Sequence, residues 1–221
     1  MVMRRFFHLL AAGVLLVALA ATPAGAQGAR PGSGALEVDG FALFGNMRFT
    51  ASDSFEAVLD RSSGPVFGGG GRVTLPVGVF VEVAAWRFSA DGERVFVATG
   101  NQVFKLGIPT SVTITPVEVT GGWRFRHMFP RVVPYVGVGW SSYAYRETSD
   151  FAAAGEDVDE RFSGVHLVTG ADVRVQTWLH VGGEIAIASV PDALGAAGVS
   201  SVYNEKALGG TSLRLKIRIG R

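Results

Sequence analysis

The sequence predicts an all-β fold: an eight-stranded antiparallel up-and-down transmembrane β-barrel, preceded by a cleaved N-terminal signal helix. Three observations lead to this prediction. Apolar and polar residues alternate with a period of two over many segments, which is the pattern of strands that have one apolar face. Glycine is unusually common, at 30 of 221 residues, and recurs on the polar face of several of these segments. The connections between the predicted strands are alternately short and long, as is typical of outer-membrane barrels.

The N-terminal segment, residues 1–26, has the pattern of a secretory signal peptide. Two arginines precede an apolar run over residues 9–21, and Ala24 and Ala26 form a small-residue cleavage motif. The run is shorter than the roughly 20 residues that a membrane-spanning helix needs. We therefore expect cleavage after Ala26 rather than a retained anchor, and mass spectrometry of the mature protein would test this.

We divide the remaining chain into a linker at 27–34 and a barrel domain at 35–221. Its composition excludes some classes of function. The chain has no cysteine, which excludes a disulfide framework and a thiolate metal site. Without the signal segment, which holds two arginines and no acid, 18 Lys and Arg residues face 19 Asp and Glu residues. This balance gives no reason to expect a nucleic acid as a partner, and no motif predicts a cofactor.

The first predicted strand covers about residues 36–49 and is followed by a segment of different periodicity. Phe41 and its alternate neighbours share one face of the strand, and Arg48 lies on the other, which we assign to the lumen. Residues 50–60 have the spacing of one or two helical turns, with Ser52 as the N-cap. This segment is either a short helix over the barrel mouth or a disordered loop.

Strands 2 and 3 are predicted at about residues 66–75 and 77–89. Strand 2 contains four consecutive glycines, two of which share the face of Arg72 and so leave space on the polar side. No Lys-Ser/Thr pair follows the glycines and no helical pattern begins, so they do not form a phosphate-binding loop. Residues 90–110 hold two short apolar runs around a Thr-Gly-Asn turn, which predicts a small hairpin that projects beyond the barrel.

Strand 4 is predicted at about residues 111–125. Its apolar parity reverses before Pro116, which predicts a bulge or a bend at that proline. Strands 5, 6 and 7 are predicted at about residues 132–147, 161–175 and 179–190, and they alternate throughout.

Parity also predicts the turn between strands 6 and 7. Directly paired residues point to the same face of a sheet, and a slip of one residue would exchange the two faces. The turn should therefore have three residues, 176–178, with Val175 opposite Leu179. In this register Asp172 is a diagonal neighbour of His180, and we expect the two side chains to bond.

The last strand, about residues 208–221, is the most regular. Its aliphatic face consists of Leu213, Leu215, Ile217 and Ile219. Its polar face consists of Ser212, Arg214, Lys216 and Arg218. In a soluble lipocalin-type barrel the apolar face would line the cavity, whereas a membrane barrel turns it toward lipid.

Two features favour the membrane arrangement. Small residues on the charged face suit the narrow lumen of an eight-stranded barrel, and charges of both signs on that face can pair when buried. The predicted lumen charge network consists of Arg48, Arg72, Glu82, Glu118, Arg124, His166, Asp172, Arg174, His180, Glu184, Arg214, Lys216 and Arg218. A predicted aromatic girdle at the short-turn rim consists of Trp123, Phe125, Phe129 and Trp178.

Several segments together resemble the small eight-stranded outer-membrane barrels of the OmpA/OmpX type. They are Pro134-Tyr-Val-Gly-Val-Gly-Trp140, Gly170-Ala-Asp-Val-Arg174, Trp178-Leu-His-Val-Gly-Gly-Glu184 and the alternating residues of the last strand. The resemblance covers the whole chain after the signal segment. It implies residence in the outer membrane of a Gram-negative-type envelope and insertion by the barrel-assembly machinery. Such chains usually end in an aromatic residue, whereas this one ends Ile-Gly-Arg.

The resemblance leaves function open, because such barrels serve in adhesion, membrane tethering, transport and a few enzymes. We expect a monomer with a structural or surface-interaction role, and the surface partner is not identified by any motif. The alternative is a conduit for small or apolar solutes. Four aromatic residues on the predicted lumen parity would line or plug it: Phe44, Phe80, Trp86 and Phe88.

A lipid-modifying enzyme is the least favoured function. The candidate catalytic or metal-binding groups are His166, His180, Asp172 and Glu184 on strands 6 and 7. The closely spaced His-x-Ser arrangement of such hydrolases is absent, since Ser163 stands three residues before His166 and on the opposite face. We therefore expect neither catalysis nor a metal, and interpret these groups as structural.

Overall fold

The computed structural model describes residues 36–98, 102–126, 128–129, 131–149, 158–194 and 198–220. The strands are β1 (Glu37–Phe49), β2 (Ser63–Thr74), β3 (Val79–Ala98), β4 (Gln102–Arg124), β5 (Val132–Ser149), β6 (Val158–Arg174), β7 (Leu179–Val190) and β8 (Leu208–Gly220). Two short helices are α1 (Ser52–Leu59) and α2 (Gly198–Val202). The predicted signal peptide and linker lie outside the described residues.

The eight strands form a closed antiparallel barrel in which each strand pairs with its neighbours in sequence. Closure occurs between the first and last strands, where Phe41 pairs with Arg218 and Phe49 with Gly210. The predicted fold class of an eight-stranded up-and-down barrel is thereby confirmed. No helix in the described part of the chain is long and apolar enough to cross a membrane.

The two ends of the barrel differ in their connections. The links after β2, β4 and β6 span only residues 75–78, 125–131 and 175–178, and we call this the short-turn end. At the opposite, long-loop end, α1 follows β1 and α2 follows β7. The hairpin predicted at 90–110 is present as a continuation of β3 and β4, which pair as far as Ala98 and Gln102 with one register shift between Glu93 and Val95. It extends beyond the rest of the sheet, because β4 pairs with β5 only from Thr110 onward.

The outer wall of the barrel is apolar. Alternate residues of each strand point outward, so the wall carries one aliphatic or aromatic residue after another. Exposed examples are Phe67, Val81, Val117, Val138, Trp140, Val165, Leu167, Ile185, Ile187, Leu213, Leu215, Ile217 and Ile219. A continuous apolar wall of this size is stable when it is covered by lipid, not when it faces water.

Strand β1 faces opposite to the prediction. Phe41, Leu43 and Met47 are buried in the lumen, whereas Arg48 is exposed on the outside, and so is Phe44. The prediction assumed that the lumen is polar along its whole length. The lumen is in fact apolar at the long-loop end, so the large apolar residues of β1 are buried there and Arg48 is not.

The same change in lumen lining explains the parity reversal in β4. Val112 and Ile114 are buried on the same lumen-facing parity as Glu118, and the pairing of β4 with β5 runs through Pro116 without a shift. The predicted bulge at Pro116 is therefore wrong. The reversal marks the height at which the lumen changes from polar to apolar.

The predicted register between β6 and β7 is confirmed. Arg174 pairs with His180, and the Val175 amide donates to the Leu179 carbonyl at 3.0 Å across the three-residue turn. Asp172 lies opposite Gly182. A Cβ at Gly182 would overlap Asp172 Oδ1, so glycine is needed there to admit the carboxylate.

Candidate functional site

The short-turn half of the lumen is filled by ionised side chains. The alternation of β8 directs Arg214, Lys216 and Arg218 inward, and each is at most 3% exposed. Acidic residues reach them from β3, β4, β6 and β7: Glu82, Glu118, Asp172 and Glu184. Cations from one strand therefore meet acids from four others, because the barrel places them around one narrow space.

Two ion-pair groups occupy the middle of this half. Arg214 Nη1 lies 2.7 Å from Glu118 Oε2, and its Nη2 donates to Oε1 at 2.8 Å. The indole of Trp86 also donates to Glu118 Oε1, at 2.8 Å. Lys216 Nζ lies between two acids, 2.7 Å from Glu82 and 2.5 Å from Glu184. These contacts join β3, β4, β7 and β8 across the lumen.

Asp172 is the centre of a second group, nearer the short-turn end. Its carboxylate pairs with Arg218 and lies 3.3 Å from Arg124 Nη2 and 3.5 Å from Arg72 Nη1. Arg72 in turn pairs with Glu82 at 2.6 Å, which connects this group to the first one. A buried carboxylate surrounded by three guanidinium groups has its charge compensated, as buried charges require.

Aromatic rings fill the space between these charges. The Arg72 guanidinium lies 4.1 Å from the ring centre of Phe80 and 4.5 Å from that of Tyr135. The Tyr135 hydroxyl donates to Glu184 Oε2 at 3.0 Å. Tyr135 is on the lumen parity of its predicted strand, so alternation could have identified it as part of this group.

Three residues of the predicted network lie elsewhere. Arg48 is on the outside of β1, and Arg174 is exposed at the short-turn rim. His180 is half-buried near the same rim and has no hydrogen bond to Asp172 in the described structure, where the Asp172 carboxylate instead contacts Arg218, Arg124 and Arg72. The expected Asp172–His180 bond is therefore wrong, although the register that suggested it is correct.

The other predicted residues are placed as follows. His166 is buried in the lumen, where its Nε2 lies 2.8 Å from Thr120 Oγ1, while Ser163 is exposed on the outer side of the same strand. The four girdle residues are all exposed at the short-turn end: Trp123, Phe125, Phe129 and Trp178. Across the described ranges, no group of three or more His, Asp or Glu side chains is arranged to hold a metal ion.

The long-loop half of the lumen is apolar and is covered by α1. Phe55 of this helix stacks on Phe49, with ring centres 4.3 Å apart, and Phe49 meets Phe88 edge to face at 4.8 Å. Leu59 of the helix is also buried in this cluster. Of the two expectations for residues 50–60, the helix over the mouth is the one observed.

Residues distant in sequence hold α1 in place. The N-cap position is Ala51, whose side chain makes no capping hydrogen bond, so the predicted capping role of Ser52 is wrong. Instead the Glu205 carboxylate accepts hydrogen bonds from the Asp53 and Ser54 amides at 3.1 and 2.8 Å. At the other end of the helix Asp60 pairs with Lys105, and this hydrogen bond raises the pKa of the lysine ammonium.

A cavity of about 460 Å³ opens beside α1 at the long-loop end. Its apolar lining includes Phe55, Val58, Leu59, Val112, Phe162 and Val199. In the part of the chain that the structure describes, its charged and phenolic lining consists of Arg94, Tyr145, Glu147, Glu160 and Asp192. We call this cavity the mouth pocket, and its size is within the usual range for sites that bind small molecules.

No family model matches the chain, and no curated protein matches it. The solved structures that are similar over 83% of this chain include the following three. Neisserial surface protein A has 13% identity over 96% of its own chain, with a TM-score of 0.48. Ail, the attachment invasion locus protein of Yersinia pestis, has 10% identity over 98%, with a TM-score of 0.45. A major outer membrane protein from Thermus thermophilus has 12% identity over 99%, with a TM-score of 0.50.

At these identities the likeness concerns the fold alone. The Thermus structure, together with the closed eight-stranded barrel, supports the OmpA/OmpX-like fold that the sequence predicts. The features of this chain that bear on function are the ion pairs of its lumen and its mouth pocket.

Proposed function

We propose that this chain is an integral outer-membrane barrel with a closed lumen, which acts through its long-loop end in a structural or surface-interaction role. The connected ion pairs across the lumen carry this proposal. Arg214 with Glu118, and Lys216 with Glu82 and Glu184, fill the central space with buried side chains that have partners. A continuous aqueous path would have to break these pairs, and breaking a buried pair is costly.

The wall and the connections support the proposed location and orientation. The exposed apolar wall suits lipid, and among β structures only a closed barrel satisfies every backbone group within lipid. In outer-membrane barrels the short turns face the periplasm, so we place α1 and the mouth pocket at the cell surface. The alternating β8 would be read by the barrel-assembly machinery, and a monomer suffices because the barrel has no open edge.

A liposome swelling assay tests the closed lumen. Liposomes that contain the purified protein should swell in a small sugar no faster than empty liposomes. The double variant Glu118→Ser with Arg214→Ser removes both members of a central pair without leaving an unpaired charge, so swelling should increase. The matched control removes the exposed pair of Arg146 and Asp159, which lie 2.7 Å apart outside the lumen, and should not swell. Porin-like swelling of the unaltered protein would contradict the proposal.

A conduit for apolar solutes is the second candidate, and one observation favours it. The last pair between β6 and β7 is Val165 with Ser189, so residues 158–163 of β6 extend beyond that pairing beside the mouth pocket. An apolar solute that entered the pocket would meet a part of the barrel wall there in which β6 is not paired with β7. Transfer of a fluorescent apolar solute into proteoliposomes that do not swell in sugar would favour this function over a purely structural one.

We also propose that the barrel is not an enzyme. Ser163 and His166 lie on opposite faces of β6, and the carboxylates of Asp172 and Glu184 pair with buried cations. A general base must be within reach of a substrate, and both carboxylates are buried inside the filled lumen. The absence of phospholipid or lipopolysaccharide hydrolysis by purified protein in vesicles would agree with this.

A further inference from the structure

We infer that the mouth pocket is a binding site for a small amphipathic organic cation, that is, a molecule with an apolar body and an ammonium group. This inference rests on the proposed function in one respect, because it takes the long-loop end to face the cell exterior.

The floor of the pocket is suited to an apolar body. Phe55 and Leu59 come from α1 and Val112 comes from β4, and all three are at least nine-tenths buried. Phe162 and Val199 add apolar surface at the sides. A ligand that covers this surface would release ordered water from it, which is the main source of affinity in such sites.

The wall of the pocket is suited to a positive charge. Among the described residues, the wall has three carboxylates, Glu147, Glu160 and Asp192, and one cation, Arg94. Tyr145 lies between two of the acids: its hydroxyl donates to Glu147 Oε2 at 3.0 Å, and it pairs with Glu160 across the sheet. The face of a phenol ring attracts an ammonium group by a cation–π interaction, and the neighbouring carboxylates can accept charge-assisted hydrogen bonds from it.

A buried polar atom supplies an independent indication of a ligand. Ser54 lines the pocket and is 6% exposed, and its hydroxyl has no hydrogen-bond partner among the described residues. A buried hydroxyl without a partner costs free energy. A ligand N–H or O–H group beside α1 would satisfy it.

Charge selects the ligand class. The described residues that line the pocket carry two more negative than positive charges, so an anion of the same shape would be repelled at the wall. A neutral analogue would keep the apolar contact and lose the charge attraction. The expected order of affinity is therefore cation, then neutral molecule, then anion.

The test uses the full barrel in lipid nanodiscs, with tryptamine as the cation, N-acetyltryptamine as the neutral analogue and indole-3-propionate as the anion. Saturation-transfer NMR and calorimetry measure binding, and empty nanodiscs correct for partition into lipid. Glu160→Gln and Glu147→Gln each remove one carboxylate from the pocket with little change in volume. Asp159→Asn is the matched control, because Asp159 is the chain neighbour of Glu160 on the opposite face of β6 and is exposed.

We expect tryptamine to bind more tightly than both analogues. We expect its affinity to fall about tenfold in the Glu160 and Glu147 variants and to stay unchanged in the Asp159 variant. Equal binding of the cation and the anion, equal effects of the three variants, or no binding above that to empty nanodiscs would each overturn the inference. Glu160 is exposed, so its variant should still fold, and heat-dependent gel mobility verifies this.

The two proposals can fail separately. Swelling of liposomes in sugar without any ligand would contradict the closed lumen and would leave charge-selective binding at the mouth intact. Loss of charge selectivity in a barrel that does not swell would contradict the pocket assignment alone.

Discussion

The Arg214 guanidinium donates to both oxygens of Glu118 across the lumen, at 2.7 and 2.8 Å, although the two residues are 96 positions apart in sequence. Both residues are at most 3% exposed, and Trp86 donates a further hydrogen bond to the same carboxylate. This pairing connects β4 and β8 across the interior of the barrel, and it is the contact on which single substitutions should have the largest effect.

Replacing Arg214 with methionine should strongly destabilise the barrel. The substitution leaves the Glu118 carboxylate buried without its bidentate partner, and losing one member of a buried pair typically costs about 3–5 kcal/mol. Equilibrium urea unfolding in lipid vesicles measures the change. The control is Arg146→Met, which breaks an ion pair whose members are each more than 60% exposed and should change stability little. Similar losses in both variants would contradict a special role for the lumen pair.

Arg218, not His180, should be the energetic partner of Asp172. Double-mutant cycles measure the coupling, with Asp172→Asn combined either with Arg218→Leu or with His180→Gln. We expect large coupling for the first pair, whose side chains form an ion pair, and coupling near zero for the second. Arg218→Leu alone should also lower barrel stability by roughly a few kcal/mol. Substantial coupling between Asp172 and His180 would show that the histidine reaches the carboxylate after all.

Replacing Glu205 with alanine should loosen α1 from the mouth without unfolding the barrel. Its carboxylate accepts from the Asp53 and Ser54 amides, and removing a helix cap costs about 0.5–2 kcal/mol. Hydrogen exchange of the amides of α1 should become several-fold faster, while the amides of β4 and β8 keep their protection. Unchanged exchange in α1 would mean that Phe55 and Leu59 hold the helix by packing alone.

The quenching of tryptophan fluorescence by lipid should depend on whether the side chain lies inside the lumen or on the outer wall. Trp86 is 2% exposed and lies in the lumen, whereas Trp140 is 39% exposed on the outer wall. In single-tryptophan variants, with the other tryptophans changed to phenylalanine, brominated acyl chains should quench Trp140 strongly and Trp86 weakly. Strong quenching of Trp86 would reverse the assignment of inside and outside.

Local alternation was enough to determine much of this protein. The period of two in β8 predicts which residues face the lumen, and the parity of β6 and β7 predicts a three-residue turn with Val175 opposite Leu179. Both succeed because a strand has only two faces, so neighbouring residues alone decide the assignment. The closed eight-stranded fold follows from the number of such strands and the lengths of their connections.

The tertiary structure decided what alternation leaves open. An apolar residue suits both a lipid-facing wall and an apolar lumen, so alternation alone puts Arg48 inward, and only the contacts of β1 with the long-loop half of the lumen reverse this. Ion pairs across the lumen form between side chains that lie at the same level along the barrel axis, and that level depends on how all the strands are staggered. For this reason Asp172 contacts Arg218 and Arg124 instead of His180. The cap on α1 and the mouth pocket arise from segments that only barrel closure brings together, which no local pattern in the chain encodes.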